Sequence, residues 1–227
     1  DHLCAPLSWD DSRRYDRGKV LDAAALEALP TKWGRYLDVD GDGICYRTYP
    51  GTHPGKGAYF TRGTSHNEYS GYTEDNTIYR RGMERLARKW QTARGLVPAA
   101  ETTERDGEAM IGAVFYGTTS AAAGEAIDLL AAEGVMINLL RLKAFPFGPE
   151  VKNFIDRHRR VFVIEQNRDG QMRQLLIGEG DVPPAKLLSV LNFDGLPITA
   201  AAIVDQIRPL LADPDPDGDT EPSGEKP

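Results

Sequence analysis

The carboxy-terminal half of the sequence predicts an α/β domain, an open parallel sheet flanked by helices. Short apolar runs rich in β-branched and aromatic residues recur there, IGAVFY at 111–116 and VFVIE at 161–165 among them. Between them lie segments whose apolar residues fall at helical spacing. The connections are short, and strand–helix alternation with short connections requires parallel strands covered by helices.

Taken in order, Ile111–Tyr116 reads as a buried strand. Gly117-Thr118-Thr119-Ser120 follows as a turn whose hydroxyls can cap a helix. Ala121–Glu133 carries Ala122, Ala126, Leu129 and Leu130 at helical spacing, with Gly134 as its stop. Val135–Leu142 reads as a second strand and Pro149–His158 as a short helix with proline at a tolerated first-turn position. Val161–Glu165, Gly170–Gly178 and Leu187–Leu191 give strand, helix and strand. Thr199–Leu211 closes as a helix with Ile203, Val204, Ile207 and Leu210 on one side.

The first half has another character. Gly, Tyr, Thr, His and Asp crowd Asp38–Asp75 with no long apolar period, which predicts loop with short strands. Tyr79–Arg94 predicts an amphipathic helix, since Tyr79, Met83, Leu86 and Trp90 are spaced by four, three and four. Its other face holds Arg80, Arg81, Arg85, Arg88 and Lys89, for solvent or for an acidic partner surface. Val97–Gly107 (VPAAETTERDG) reads as a linker.

Composition narrows the function classes. The chain has 27 basic and 34 acidic residues, a net charge of −7. Most of that excess sits in the tail, where Asp213, Asp215, Asp217, Asp219, Glu221 and Glu225 face Lys226 alone. A nearly neutral body gives no electrostatic reason to expect nucleic-acid binding. The Pro-, Asp- and Gly-rich tail has too little apolar surface to offset its ordering entropy, so disorder is expected there. No apolar run approaches the roughly 20 residues of a membrane helix, and no signal layout opens the chain. The start, DHLCAPLSWDD, reads as if cut from something longer. Cys4 and Cys45 form no CxxC, cannot ligate an iron–sulfur cluster between them, and fit a reducing cytoplasmic setting.

Several motifs stop short of chemistry. Asp38-Val-Asp-Gly-Asp-Gly43 opens like an EF-hand calcium loop, but Tyr49 stands where the bidentate Glu belongs; a tight acidic turn remains. Gly51–Gly57 lacks the Walker spacing. Gly117 stands alone, without the dinucleotide fingerprint. Glu165-Gln-Asn-Arg-Asp-Gly170 ends a strand with polar side chains. Open parallel sheets collect sites at such ends, and a capping turn with interface hydrogen bonds explains the cluster equally well. His53 and His66 lie in the polar loops with Arg47, Arg62 and Glu68 nearby. Zinc sites need three or four ligands at more regular spacing, so a polar interface or substrate-side loop is the better reading. No nucleophile elbow or Cys–His pair occurs.

Three stretches go further: Asp16-Arg-Gly-Lys-Val-Leu21, the run DVDGDGICYRTYPGTHPGKGAYFTRGTSHNEYSGYTE from Asp38 to Glu74, and Glu165-Gln-Asn-Arg-Asp-Gly-Gln171. With Leu140-Arg-Leu-Lys-Ala-Phe-Pro-Phe147 and Asp194-Gly-Leu-Pro-Ile-Thr199, they resemble the α subunit of 2-oxoacid:ferredoxin oxidoreductases of the 2-oxoglutarate type. The resemblance implies oxidative decarboxylation of a 2-oxoacid to an acyl-coenzyme A, with electrons passed to ferredoxin. It implies thiamine diphosphate with magnesium and an iron–sulfur cluster in the whole complex, held mainly by a β subunit and other partner domains. On this frame residues 1–98 are the loop-rich end of a pyrimidine-side thiamine domain and 99–107 a linker. Residues 108–211 are then a transketolase-C-terminal-like domain and 212–227 an acidic tail. The family's substrate segment, its carboxylate-gripping Arg and its thiamine-activating acid have no counterpart here, so no catalytic or metal-ligating residue carries over. Arg47, His53, Arg62, His66, Glu68, Glu165 and Asn167 are the expected junction residues. The alternative is a non-catalytic α/β assembly or interaction module.

Overall fold

The computed structural model describes residues 9–212 apart from 13, 62, 64 and 107. Arg62, Cys4 and the tail expected to be disordered lie outside the described residues, the tail from 213 onward. The chain divides into two compact units, Asp1–Leu96 and Val97–Pro227.

The second unit is built on a five-stranded sheet in the order β1-β3-β2-β4-β5. Its strands are β1 (Glu101–Thr103), β2 (Ile111–Tyr116), β3 (Asn138–Leu142), β4 (Arg160–Glu165) and β5 (Leu187–Leu191). Four pair in parallel, as alternation with helices requires. The helices are α3 (Ser120–Ala132), α4 (Pro149–Arg157), α5 (Gln171–Gly180) and α6 (Ala200–Ala212).

Period-two alternation sends the strand side chains into two cores. Ala113, Phe115, Phe162 and Ile164 face α3 and α6, against Ile127, Leu130, Ile203 and Ile207. Val114, Val161 and Val163 face α4 and α5, against Phe154, Ile155 and Leu176. Each of the larger ones, the Val, Leu, Ile and Phe side chains, contributes about 1.5–3 kcal/mol by leaving water. Gly112 in β2 is required by this packing, because a Cβ there would sit 2.7 Å from the Phe154 ring.

Three expectations change. The stretch read as a linker contains β1, which pairs antiparallel with β3 and makes the sheet mixed. Its residues are exposed and polar, so no alternation marks it; backbone pairing and ion pairs from Glu101 to Lys143 and Arg141 hold it. The Thr119 hydroxyl makes no capping bond to α3, and this N-cap residue has helical backbone angles. Leu129 is exposed, and Ala123, Ala126, Ile127 and Leu130 form the buried stripe instead.

The first unit has almost no core. Among its described residues Leu26, in helix α1 (Ala23–Ala28), is the one fully buried hydrophobic side chain. Isolated bridges at Val20–Arg47 and His66–Tyr72 stand where short strands were expected. Helix α2 spans Asn76–Arg94, three residues earlier than its apolar spacing suggests, because Asp75 caps it by accepting from Thr77 N and Ile78 N at 2.8 and 3.0 Å.

No residue of α2 is buried. Its apolar stripe faces outward, with Tyr79, Met83, Leu86 and Trp90 exposed by 47, 44, 43 and 43%. The docked face is the basic one. Arg85 donates to Gly43 O at 3.0 Å, Arg88 to Asp38 at 3.3 Å and the Thr92 hydroxyl to Asp42 O at 2.5 Å. The acidic turn is thus the partner of these cations, within the same unit. Gly43 permits the approach: its φ is +81°, and a Cβ would lie 2.3 Å from Lys89 N.

Candidate functional site

The polar loops of the first unit gather His66 and Glu68 beside α2, around a cavity of about 330 Å³. Its lining includes Tyr36, Asp38, Arg81, Arg85 and Arg88. His66 stacks on Tyr36 with ring centroids 3.9 Å apart. Glu68 pairs with Arg81 at 3.2 Å, and its carbonyl accepts from Tyr36 N at 3.0 Å. Arg81, Arg85 and Arg88 in this lining are matched by Asp38, Glu68 and Glu84. The cavity therefore offers no excess positive charge to hold a free anion such as a diphosphate.

Arg47 and His53 lie elsewhere in the unit. His53 Nδ1 accepts from Gly55 N and Lys56 N at 3.0 and 2.8 Å, and Nε2 meets Glu27 at 2.7 Å. Lys56 and then His53 hold the Glu27 carboxyl below the usual range. Arg47 donates to Arg17 O at 2.6 Å and lies over the Tyr49 ring. Both side chains are consumed in fixing loop shape. The residues expected at a junction therefore form separate clusters, with Arg62 outside the described residues.

Lys19 was not singled out by sequence, yet it organises the acidic turn. Its Nζ donates to Asp40 at 2.6 Å, Asp42 at 2.7 Å and Ile44 O at 3.1 Å. A tethered ammonium thus sits among the carboxylates of the calcium-like motif. Asp40 and then Asp42 push the Lys19 ammonium far above the usual lysine range, while Lys19 lowers Asp42. The one available sequence signal is that Lys19 and this turn belong to the conspicuous stretches.

In the second unit the Glu165 cluster resolves toward capping. The Glu165 side chain is fully buried. Its carboxylate accepts from Met172 N, Arg173 N and Asn167 Nδ2 at 2.8, 3.2 and 2.6 Å. Asn167 Oδ1 in turn accepts from Asp169 N and Gln171 N at 3.1 and 3.2 Å. A carboxylate at the start of α5 complements that helix's exposed N–H groups and dipole.

The crevice a parallel sheet offers a ligand lies where the connections diverge, here between the carboxyl ends of β2 and β4. Gln166 crosses it. Its amide nitrogen donates to the Thr118 and Thr119 hydroxyls at 3.2 Å each, and its oxygen accepts from Ile198 N at 3.2 Å. The side chain ties three loops across the place a cofactor would enter.

Among the described residues no group of three or more His, Cys, Asp or Glu is placed to hold a metal. Cys45 is a free thiol, pushed up by burial. No helix among the described residues is long and apolar enough to cross a membrane.

No protein-family model matches the chain. A 2-oxoacid:ferredoxin oxidoreductase α subunit of Aeropyrum pernix is 28% identical over 199 residues, covering 86% of this chain and 29% of that subunit. The chain thus spans less than a third of that relative's length. The 2-oxoglutarate:ferredoxin oxidoreductase of Magnetococcus marinus, solved with 2-oxoglutarate, coenzyme A and succinyl-CoA bound, superposes with a TM-score of 0.68 at 23% identity. That match covers 79% of this chain and 31% of the other, and at such identity it is a likeness of fold. The resemblance to the α subunit of 2-oxoacid:ferredoxin oxidoreductases, read first from the loop motifs, extends over most of the chain.

Proposed function

We propose that this chain works as the carboxy-terminal part of the α subunit of a thiamine-dependent 2-oxoacid:ferredoxin oxidoreductase, in a cytoplasmic complex. The first unit is the end of the pyrimidine-side thiamine domain and the second a bracing α/β domain. The complex converts a 2-oxoacid, 2-oxoglutarate in this reading, to its acyl-coenzyme A and passes electrons to ferredoxin. Thiamine diphosphate, magnesium and the iron–sulfur cluster are then held by the β subunit and the rest of the α subunit. This chain's polar loops, with Arg47, His53, Arg62, His66 and Glu68, brace the junction, while Glu165 and Asn167 fix the second domain.

The observation that carries the reading is the exposed stripe on α2. A helix with Tyr79, Met83 and Leu86 each more than 40% exposed, in a unit with one fully buried hydrophobic side chain among its described residues, needs apolar surface from elsewhere. Together with the similarity over 86% of the chain, it points to a missing neighbour from the same enzyme. A bracing module without chemistry is the second reading, favoured by Gln166 across the crevice.

The test is co-expression with the remaining α region and the β subunit, followed by 2-oxoglutarate- and coenzyme A-dependent ferredoxin reduction. Co-purification with turnover is expected, and Leu86→Glu should abolish association. Assembly without turnover supports the module reading. No association at all sinks both.

A further inference from the structure

His158 follows α4 directly, and its residue surface is only 1% exposed. Both ring nitrogens meet groups whose hydrogen-bonding roles are fixed. Nδ1 lies 2.6 Å from Phe154 O, a carbonyl that can only accept, so Nδ1 carries the proton. Nε2 lies 3.1 Å from Asn138 Nδ2. The backbone fixes which way that amide points. Asn138 Oδ1 accepts from Arg105 N and Asp106 N at 2.8 and 3.3 Å, and Nδ2 donates to Asp106 O at 3.0 Å. Nε2 must therefore accept, and the imidazole is neutral.

A second proton would set Nε2–H against the Asn138 NH₂. Turning the amide does not repair this. It would give the imidazolium an oxygen, but would place NH₂ against two backbone N–H groups and oxygen against the Asp106 carbonyl. Protonation and the hold on residues 105 and 106 therefore exclude each other.

The charged surroundings offer no rescue. On the helix side Arg157 disfavours the imidazolium, and Lys186, ahead of β5, does the same. Glu104 on the lead-in favours it, but is engaged with Arg157 at 2.6 Å. Arg105 is paired with Asp128 at 2.6 Å. From β2 comes Gly112, and the Phe154 ring lies over the imidazole with centroids 4.3 Å apart.

We propose that His158 and Asn138 form an acid-released latch that holds the 104–106 lead-in against the start of β3. Opening the latch loosens the segment that follows β1, whose exposed residues are then held at the edge of β3 by their ladder and the Glu101 ion pairs alone. Burial, the largest influence, pushes the His158 pKa down; the Phe154 hydrogen bond works upward. A histidine lowered in the folded state favours folding fully above its unfolded value of about 6.5. That contribution is lost as pH falls below this value toward the folded pKa.

Hydrogen exchange of the full chain at pH 7.5, 6.5 and 5.5, corrected for intrinsic rates, tests this. Protection of the Arg105 and Asp106 amides should fall by about tenfold toward pH 5.5, equivalent to one pKa unit of differential protonation, while β4 amides hold. His158→Gln should remove the dependence. Asn138→Asp loses the bond to Asp106 O and should weaken protection at pH 7.5, but its carboxylate accepts from an imidazolium, so its dependence should reverse, with protection rising toward pH 5.5. The latch is refuted by wild-type protection at 105–106 that is flat with pH or falls in step with β4. A dependence that persists in His158→Gln refutes it too. Should His158→Gln fail to fold, the sign in Asn138→Asp decides.

Discussion

Helices α2 and α6 carry the same kind of sequence signal, an apolar stripe at helical spacing, and use it in opposite ways. In α6, Ile203, Val204 and Ile207 are buried against α3 and the sheet. In α2 the stripe is turned outward, and the cationic side docks on an acidic turn. Periodicity tells which face of a helix is apolar; what that face meets depends on the material around it. The second unit contains its own covering layers, so the apolar faces of its sheet are buried. The first is held by capped turns, ion pairs and a tethered lysine, and leaves Tyr79, Met83 and Leu86 for something else to cover.

Substitutions can sharpen or break this contrast, beginning with the largest effect. Phe162→Ala removes a fully buried ring from the second unit and should cost about 3–5 kcal/mol, seen as a lower denaturation midpoint. Glu165→Ala strips the α5 cap from Met172 N and Arg173 N; a loss of about 2 kcal/mol is expected in the same transition. Gly43→Ala forces a Cβ against Lys89 N at a positive φ, a conformation costing about 1–2 kcal/mol in itself. It should loosen α2, read as faster exchange of its amides, without moving the midpoint of the second unit. Leu86→Ser on the open stripe should stay within about 0.5 kcal/mol in the isolated chain. A cost comparable to that of Phe162→Ala would show that the stripe is already covered.

The legible part of the fold was the part written in contiguous apolar runs. IGAVFY and LLSVL matched their strands to the residue; β2 is buried on both faces, where a parallel strand needs apolar side chains throughout. Strand β1 was hidden because Glu101, Thr102 and Thr103 are all exposed. Of the site, the capping by Glu165 and Asn167 was one of two equal readings, within reach of sequence because its partners lie within eight residues. His53 with Glu27, Lys19 with Asp40 and Asp42, and Gln166 with Thr118 are pairings across 21 to 48 residues. Nothing in spacing reveals such pairs, because loops without periodicity leave the distance between side chains open until the fold closes it.

The most direct measurement is native-state hydrogen exchange of the isolated chain, comparing α2 with β2 and β4. If the first unit lacks a covering neighbour, α2 amides open through local fluctuations and should be at least about 100-fold less protected than β2 and β4, a gap of roughly 2.7 kcal/mol. Adding the remaining α region and β subunit should then raise α2 protection selectively. Protection of α2 equal to that of β4 in the isolated chain would contradict the claim that its apolar stripe awaits a partner.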